Sequence, residues 1–234
     1  MSQGLDLLVF GAHADDAEIG MGATIVKHIQ AGYRVAVCDL TYSEMSSNGT
    51  VELRKQEAAK ASDILGLTER SCLGLPDRGL FCSAEQIEAV AMEIRRLRPR
   101  IVFAPYWVDR HPDHVMCGQI VEQAVFSAKL RRYRPDVLPV TVENVYYYFI
   151  NEMGKVDFML DVSSFYDQKL LALSAYSSQF AAPSADHLDI VATPLNQGYL
   201  ERVKLRDQML GMKQQLAYAE GFASKTTFIT DLIL

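Results

Sequence analysis

The chain has 234 residues, 49% of them apolar and 22% charged, with a net charge of −6. That length supports one sizeable core, the composition is that of an ordinary globular protein, and the charge argues against nucleic acid or an anionic membrane as the main partner. No run reaches the ~18 uninterrupted apolar residues of a membrane span, and the opening Met-Ser-Gln-Gly-Leu-Asp lacks the features of a secretory signal. Cys38, Cys72, Cys82 and Cys117 are scattered without a C-x-x-C pair, the pattern of reduced thiols in a cytoplasmic protein.

The predicted elements alternate through the first half. Leu5–Phe10 reads as a buried strand punctuated by Gly11. Ala17–Gln30 has helical spacing of Ile19, Ala23, Val26 and Ile29 and stops at Gly32. Arg34–Leu40 is a second strand, Thr50–Leu65 a helix with Thr50 as N-cap, and Cys72–Leu75 a short strand. Ser83–Leu97 is a helix opened by a capping box, Ser83-Ala84-Glu85-Gln86, and ended by Pro99. Ile101–Pro105 is a buried strand, and Pro112–Leu130 a helix with proline in its first turn. This order predicts an α/β fold, a Rossmann-like mainly parallel sheet with helices on both faces.

In the second half, Val142–Ile150 and Asp157–Val162 read as strands, Ser163–Ser178 and Gly198–Ala219 as helices, and Thr227–Leu234 as a last strand. Gln179–Asn196 reads as a long loop of the kind that forms lids. No repeat or linker interrupts the pattern, so residues 1–234 are expected to form a single domain.

Two strand exits carry the chemistry. His13-Ala14-Asp15-Asp16 follows the first strand, and Asp109-Arg110-His111-Pro112-Asp113-His114 follows Ile101–Pro105 closely. Ligands bind at the carboxyl ends of strands in open α/β sheets. His111 and His114 are three apart and share a helix face. If the strands are adjacent, the exits together make a metal site. Catalytic zinc takes three protein ligands and leaves a position for water; His13, Asp16 and His114 supply such a set. A mixed His/Asp set also suits Fe2+ or another divalent first-row ion. Asp15 is then free to act as base, and His111 to protonate a leaving amine or stabilise an oxyanion. Asp113 is expected to hold His111 in the needed tautomer.

Plainer readings compete. Each exit alone is a polar turn with a helix cap, Asp15 or Asp16 serving the first helix; the pairing of the two motifs weakens this. His28 and His187 read as surface residues, and the basic runs Arg95–Arg100 and Lys129–Arg134 as solvated faces. A nucleotide-binding Rossmann module would need G-x-G-x-x-G where the chain has Gly11-Ala12-His13-Ala14-Asp15-Asp16, whose carboxylates repel a pyrophosphate. A noncatalytic metal-binding subunit would need neither Asp15 nor His111.

His13-Ala14-Asp15-Asp16 resembles the AHPDD signature of LmbE-like (PIG-L family) metal-dependent N-acetylglucosaminyl deacetylases, and His111-Pro112-Asp113-His114 resembles that family's HPDH element. Ser46-Ser47-Asn48-Gly49-Thr50-Val51-Glu52-Leu53-Arg54, Leu75-Pro76-Asp77-Arg78-Gly79, Ser177-Ser178-Gln179-Phe180 and Tyr218-Ala219-Glu220-Gly221-Phe222 are similar to the bacillithiol-pathway enzymes that act on N-acetylglucosaminyl malate. The resemblance implies a zinc-dependent hydrolase that removes the N-acetyl group from a small N-acetylglucosamine conjugate and assembles as a homo-oligomer, a hexamer. It implies His13, Asp16 and His114 as metal ligands, Asp15 as base, His111 as acid or electrophile with Asp113 orienting it, Arg54 as a substrate-binding residue, and Tyr199 beside the acetyl group.

Arg110 is a second candidate for substrate contact, while Arg78 reads first as a turn residue. The chain departs from the pattern at Ala14, where many relatives have proline, at Thr141, where some carry a basic residue, and in the longer spacer Gln179–Asn196. The nearest alternative is a related amidase acting on a thiol conjugate or another N-acyl sugar.

Overall fold

The computed structural model describes residues 4–182 and 190–227. In chain order the elements are β1 (Leu7–Gly11), α1 (Asp16–Gln30), β2 (Val35–Thr41), α2 (Val51–Leu65), β3 (Glu69–Leu75), α3 (Ala84–Leu97) and β4 (Ile101–Pro105). There follow α4 (Pro112–Ala128), β5 (Asn144–Tyr148), β6 (Phe158–Asp161), α5 (Tyr166–Ser174), α6 (Ser177–Phe180), α7 (Tyr199–Met212) and β7 (Ala219–Ala223). The sheet order is β3-β2-β1-β4-β5-β7-β6. The first five strands in this order are parallel, and β7 runs antiparallel between β5 and β6. The expected mainly parallel sheet is present.

β1 and β2 are buried along their whole length, so both faces are apolar and the strands read as continuous apolar runs. Leu8, Phe10, Val102 and Ala104 pack with Val90, Ile94, Ile120 and Val121 of α3 and α4. Leu7, Val9, Val35 and Val37 pack on the other face with Ile25, Ala61 and Leu173 of α1, α2 and α5. Thr50 caps α2, its hydroxyl accepting from Leu53 N at 3.1 Å. Ser83 caps α3 through Gln86 N, but the Gln86 side chain bonds Phe81 N and Gly79 O. Only half of the expected capping box forms.

The second half departs from expectation in detail. The helix predicted over Gly198–Ala219 stops at Met212, and Ala219–Ala223 is the strand β7. The chain doubles back across Gly211, where a Cβ would lie 2.8 Å from Leu216 O, and Gln215 turns it with φ 60°. The helix predicted over Ser163–Ser178 is divided into a 3-10 turn at Ser163–Phe165, then α5 and α6. β3 begins earlier than predicted, at Glu69. Of the strand predicted at Thr227–Leu234, only Thr227 lies within the described residues, outside any strand, and His187 lies outside them.

Two features place the site. β1 and β4 are neighbours, with Leu7 beside Ile101 and Val9 beside Phe103. Their exits therefore open together where the sheet order turns from β2 on one side of β1 to β4 on the other, the switch point where such sheets bind ligands. α1 is interrupted at Met21 (φ −151°, ψ 26°). Beside the break, Gly20 runs against Tyr148: a Cβ there would lie 2.0 Å from the ring.

Candidate metal and active site

The β1 exit climbs into α1 through Asp15, whose backbone takes φ 121° and ψ −22°. The β4 exit enters α4 through Pro112 in its first turn, with His111 as N-cap. The two exits converge on Asp16. Its Oδ1 lies 3.1 Å from His114 Nε2, and its Oδ2 lies 3.7 Å from His13 Nδ1. The other nitrogen of each imidazole faces a different carboxylate. Asp109 Oδ1 lies 3.0 Å from His114 Nδ1; Asp77 Oδ1 lies 3.2 Å from His13 Nε2, with Asp113 Oδ2 at 3.6 Å. Carboxylates on the far nitrogen fix the tautomer and raise the basicity of an imidazole that binds a metal with the near one.

Two groups of donors among the described residues lie close enough together for a divalent cation. Asp16, which faces both His13 and His114, belongs to neither, so the expected set of His13, Asp16 and His114 is not one of them. Ligand atoms of His13, His111 and His114 lie within 4.8 Å of one another, as do those of His13, Asp77 and Asp113. Burial works against charge on His13, yet Asp113, Asp16 and Asp77 hold it well above its ordinary value. His114 is raised to about 9 against its burial, by Asp16 and Asp109. Asp16 stays well below the usual carboxylate range despite complete burial, chiefly through His114. The carboxylates thus make a place that favours positive charge.

Asp15 points elsewhere. It is buried, and burial raises its carboxyl to about 6, against the pull of Arg54 and with a further push from Asp16. Arg54 Nη2 lies 3.3 Å from Asp15 Oδ2 and also donates to the Ala14 carbonyl. Arg54 is only 3% exposed, which differs from the solvated helix face its neighbours Glu52, Lys55 and Glu57 suggest.

His111 is bonded differently from the expectation. Its Nδ1 accepts from the backbone N–H of Asp113 at 3.2 Å. The Asp113 carboxylate instead takes two bonds from Arg78, from the backbone N–H at 2.8 Å and from Nη1 at 2.9 Å, and faces His13. Asp113 orients His111 through its backbone, because the first turn of α4 aims the side chain away. Burial, then His114 and His13, lower His111 to about 4. A neutral ring whose Nδ1 accepts carries its proton on Nε2.

A cavity of about 170 Å³ opens over this centre, lined among others by His13, Asp15, Asp16, Arg54, Arg110, His111, His114 and Tyr199. Tyr199 OH donates to Asn151 Oδ1 at 3.0 Å, and Asn151 Nδ2 donates to Asp109 at 2.8 Å. Arg110 is exposed at the mouth, at the junction with a second cavity. Arg78, read as a turn residue, is also the partner of Asp113. Sequence reasoning missed Asp77, Asp109 and Asn151. The only signals were the Asp109-Arg110-His111 run and the aspartate of Leu75-Pro76-Asp77-Arg78-Gly79.

Residues 8–125 match the family model described as PIG-L, GlcNAc-PI de-N-acetylase. The chain belongs to the PIG-L family of deacetylases, which are amide hydrolases. It is 31% identical to the diacetylchitobiose deacetylase of Thermococcus kodakarensis over 74% of this chain and 70% of that protein. It is 29% identical to a probable N-acetyl-alpha-D-glucosaminyl L-malate deacetylase 2 of Bacillus cereus over 77% of this chain and 86% of that protein. Among solved structures, the conserved protein TT1542 from Thermus thermophilus superposes with a TM-score of 0.86 at 38% identity, covering 98% of this chain and all of that one.

Proposed function

We propose that the protein removes the acetyl group from an N-acetylglucosamine conjugate with an acidic aglycone, N-acetylglucosaminyl malate, using a divalent ion held by His13, Asp16 and His114. Zn2+ is the first choice and Fe2+ the second. The observation that carries the reading is the division of labour between adjacent carboxylates. Asp16 lies between two imidazole nitrogens, while Asp15 is buried beside Arg54. On the same reading the enzyme works in the cytoplasm as a homo-oligomer, a hexamer, and residues 1–234 form one domain.

When bound, the ion would polarise the amide carbonyl and acidify a water molecule. The residues do the rest. Asp15 takes a proton from the water as its oxygen bonds to the amide carbon, and its raised affinity for protons near neutral pH suits it to a base that must also return one. His111, neutral, donates Nε2–H to the developing oxyanion. The positive end of α4 lies beside it. The C–N bond breaks as the amine leaves with the proton that Asp15 took up, since a neutral His111 has none to give without becoming an imidazolate; the products are acetate and a free glucosamine conjugate. Asp113 and Asp77 steady His13, and Asp109 steadies His114. Arg54 or Arg110 supplies the cation for a substrate carboxylate, and Tyr199 borders the acetyl group.

The test is a deacetylation assay on N-acetylglucosaminyl malate and on diacetylchitobiose, with chelator and with metal restored. Malate-conjugate turnover abolished by chelator and recovered with Zn2+ or Fe2+ supports the reading; a preference for diacetylchitobiose transfers it to another N-acyl sugar. Asp15→Asn is expected to lower kcat by ~10²–10⁴-fold with the metal still bound. Near-native turnover in that variant refutes the base assignment.

A further inference from the structure

A buried chain of charges runs from the break in α1 to the far side of the site. A continuous helix would join Ile19 C=O to Ala23 N–H. Around the break at Met21, both groups are met by side chains. Arg206 Nη2 donates to Ile19 O at 2.9 Å, and Glu220 accepts from Ala23 N at 3.2 Å and Thr24 N at 2.7 Å. Lys169 joins the two, with Nζ 2.7 Å from both Asp207 Oδ2 and Glu220 Oε1, and Asp207 Oδ1 takes Arg206 Nε at 2.9 Å. Lys169 and Glu220 are 0% exposed.

Arg206 has a second task. Its Nη1 donates to Phe149 O at 3.0 Å and Ile150 O at 2.9 Å. The next residue, Asn151, donates its N–H and Nδ2 to Asp109, which holds His114 Nδ1. One guanidinium therefore touches both the turn that begins with Asp16 and the strand end that anchors the His114 arm.

We infer that Arg206, Asp207, Lys169 and Glu220 are positioning residues that hold the first turn of α1, with Asp15 and Asp16, in register with the Asn151–Asp109–His114 arm. The inference rests on the proposed roles of Asp15, Asp16 and His114. A buried ion network is in itself weak support for stability, and similar networks are often replaceable by apolar side chains without loss. What an apolar replacement cannot do here is hold backbone groups of both arms at once.

The experiment compares Arg206→Met, Arg206→Lys and Glu220→Gln with the unmodified chain. Zn2+ affinity is read by chelator competition, exchange of the Ala23 and Thr24 amides by NMR, and kcat and KM on the sugar substrate. Arg206→Met is expected to weaken Zn2+ binding and lower kcat by about tenfold each, with KM within about twofold; loss of an outer partner of a metal ligand typically costs ~10–100-fold. Arg206→Lys should recover part of both, because it keeps one donor and the charge. Glu220→Gln should accelerate exchange of the Ala23 and Thr24 amides and lower kcat in the same way. Folded variants that lose only melting temperature, with Zn2+ affinity and kcat unchanged, overturn the inference. Zn2+ affinity and amide exchange need no substrate, so the outcome is readable even if the proposed deacetylation fails its own assay. Should Arg206→Met not fold, Arg206→Lys and Glu220→Gln carry the test.

Discussion

The Asp109 carboxylate lies 3.0 Å from His114 Nδ1, on the opposite edge of the ring from Asp16, which lies 3.1 Å from Nε2. His114 is thus held between two carboxylates, one at each ring nitrogen. Asp109→Asn keeps the shape and removes the charge. It is expected to weaken divalent-metal binding by ~10–100-fold, measured by chelator competition, with a smaller effect on substrate KM.

Arg54 favours the ionised form of Asp15, so removing it changes the pH profile in a stated direction. Burial holds the Asp15 carboxyl at about 6 even with Arg54 opposing it. Without that guanidinium the carboxyl rises further and stays protonated to higher pH. The acid limb of kcat/KM should therefore move to higher pH in Arg54→Met. Its deficit relative to the unmodified chain should be larger at pH 6 than at pH 8. An acid limb that does not move would remove Arg54 as the partner that tunes the base.

The Lys169 site gives a stability prediction. Lys169→Met leaves Asp207 and Glu220 buried without their shared cation, a loss of about 3–5 kcal/mol, measured by urea unfolding at pH 7. Burial raises the Asp207 carboxyl, but Arg206 and Lys169 outweigh it and the net shift is downward. A folded-state value below the unfolded one, ~3.9, contributes stability above the unfolded value that is lost as pH falls through the folded one. The unmodified chain should therefore lose stability below about pH 4. The gap between it and Lys169→Met should narrow there, as the stranded Asp207 carboxylate becomes neutral.

Gly20→Ala tests the crossing of α1 over β5. A Cβ at Gly20 would stand 2.0 Å from Tyr148 Cδ2, and Tyr148 is fully buried with its hydroxyl donating to Phe10 O. Overpacking of this kind costs ~1–3 kcal/mol, in place of the stabilisation that Gly→Ala usually brings to a helix interior. Thermal unfolding of the variant decides between the two.

Much of this was legible in the chain. β1 and β4 announce themselves as apolar runs, and the chain order allows but does not require their exits to meet; the sheet order makes them neighbours and brings His13, Asp16 and His114 together. Local signals also gave α2 through Thr50 and α4 through Pro112. Asp77 was not legible, because the contact that gives it a role spans 64 residues and its own surroundings spell a turn. Asp109 looked like a neighbour of Arg110 and not a partner of His114. β7 was hidden by the helical spacing that runs up to it. Its Glu220 makes sense only beside the broken helix that it completes.

The backbone of Asp15 sets stability and activity against each other at one position. A φ of 121° is left-handed territory that glycine occupies freely, and a non-glycine residue held there stores ~1–3 kcal/mol. Glycine at position 15 would release that strain and relieve a carboxyl buried against its preference. A library sorted for folded, heat-resistant chains should therefore enrich glycine at this site, and one sorted for turnover should discard it. Position 15 is where a thermostability screen of this protein would select against the enzyme.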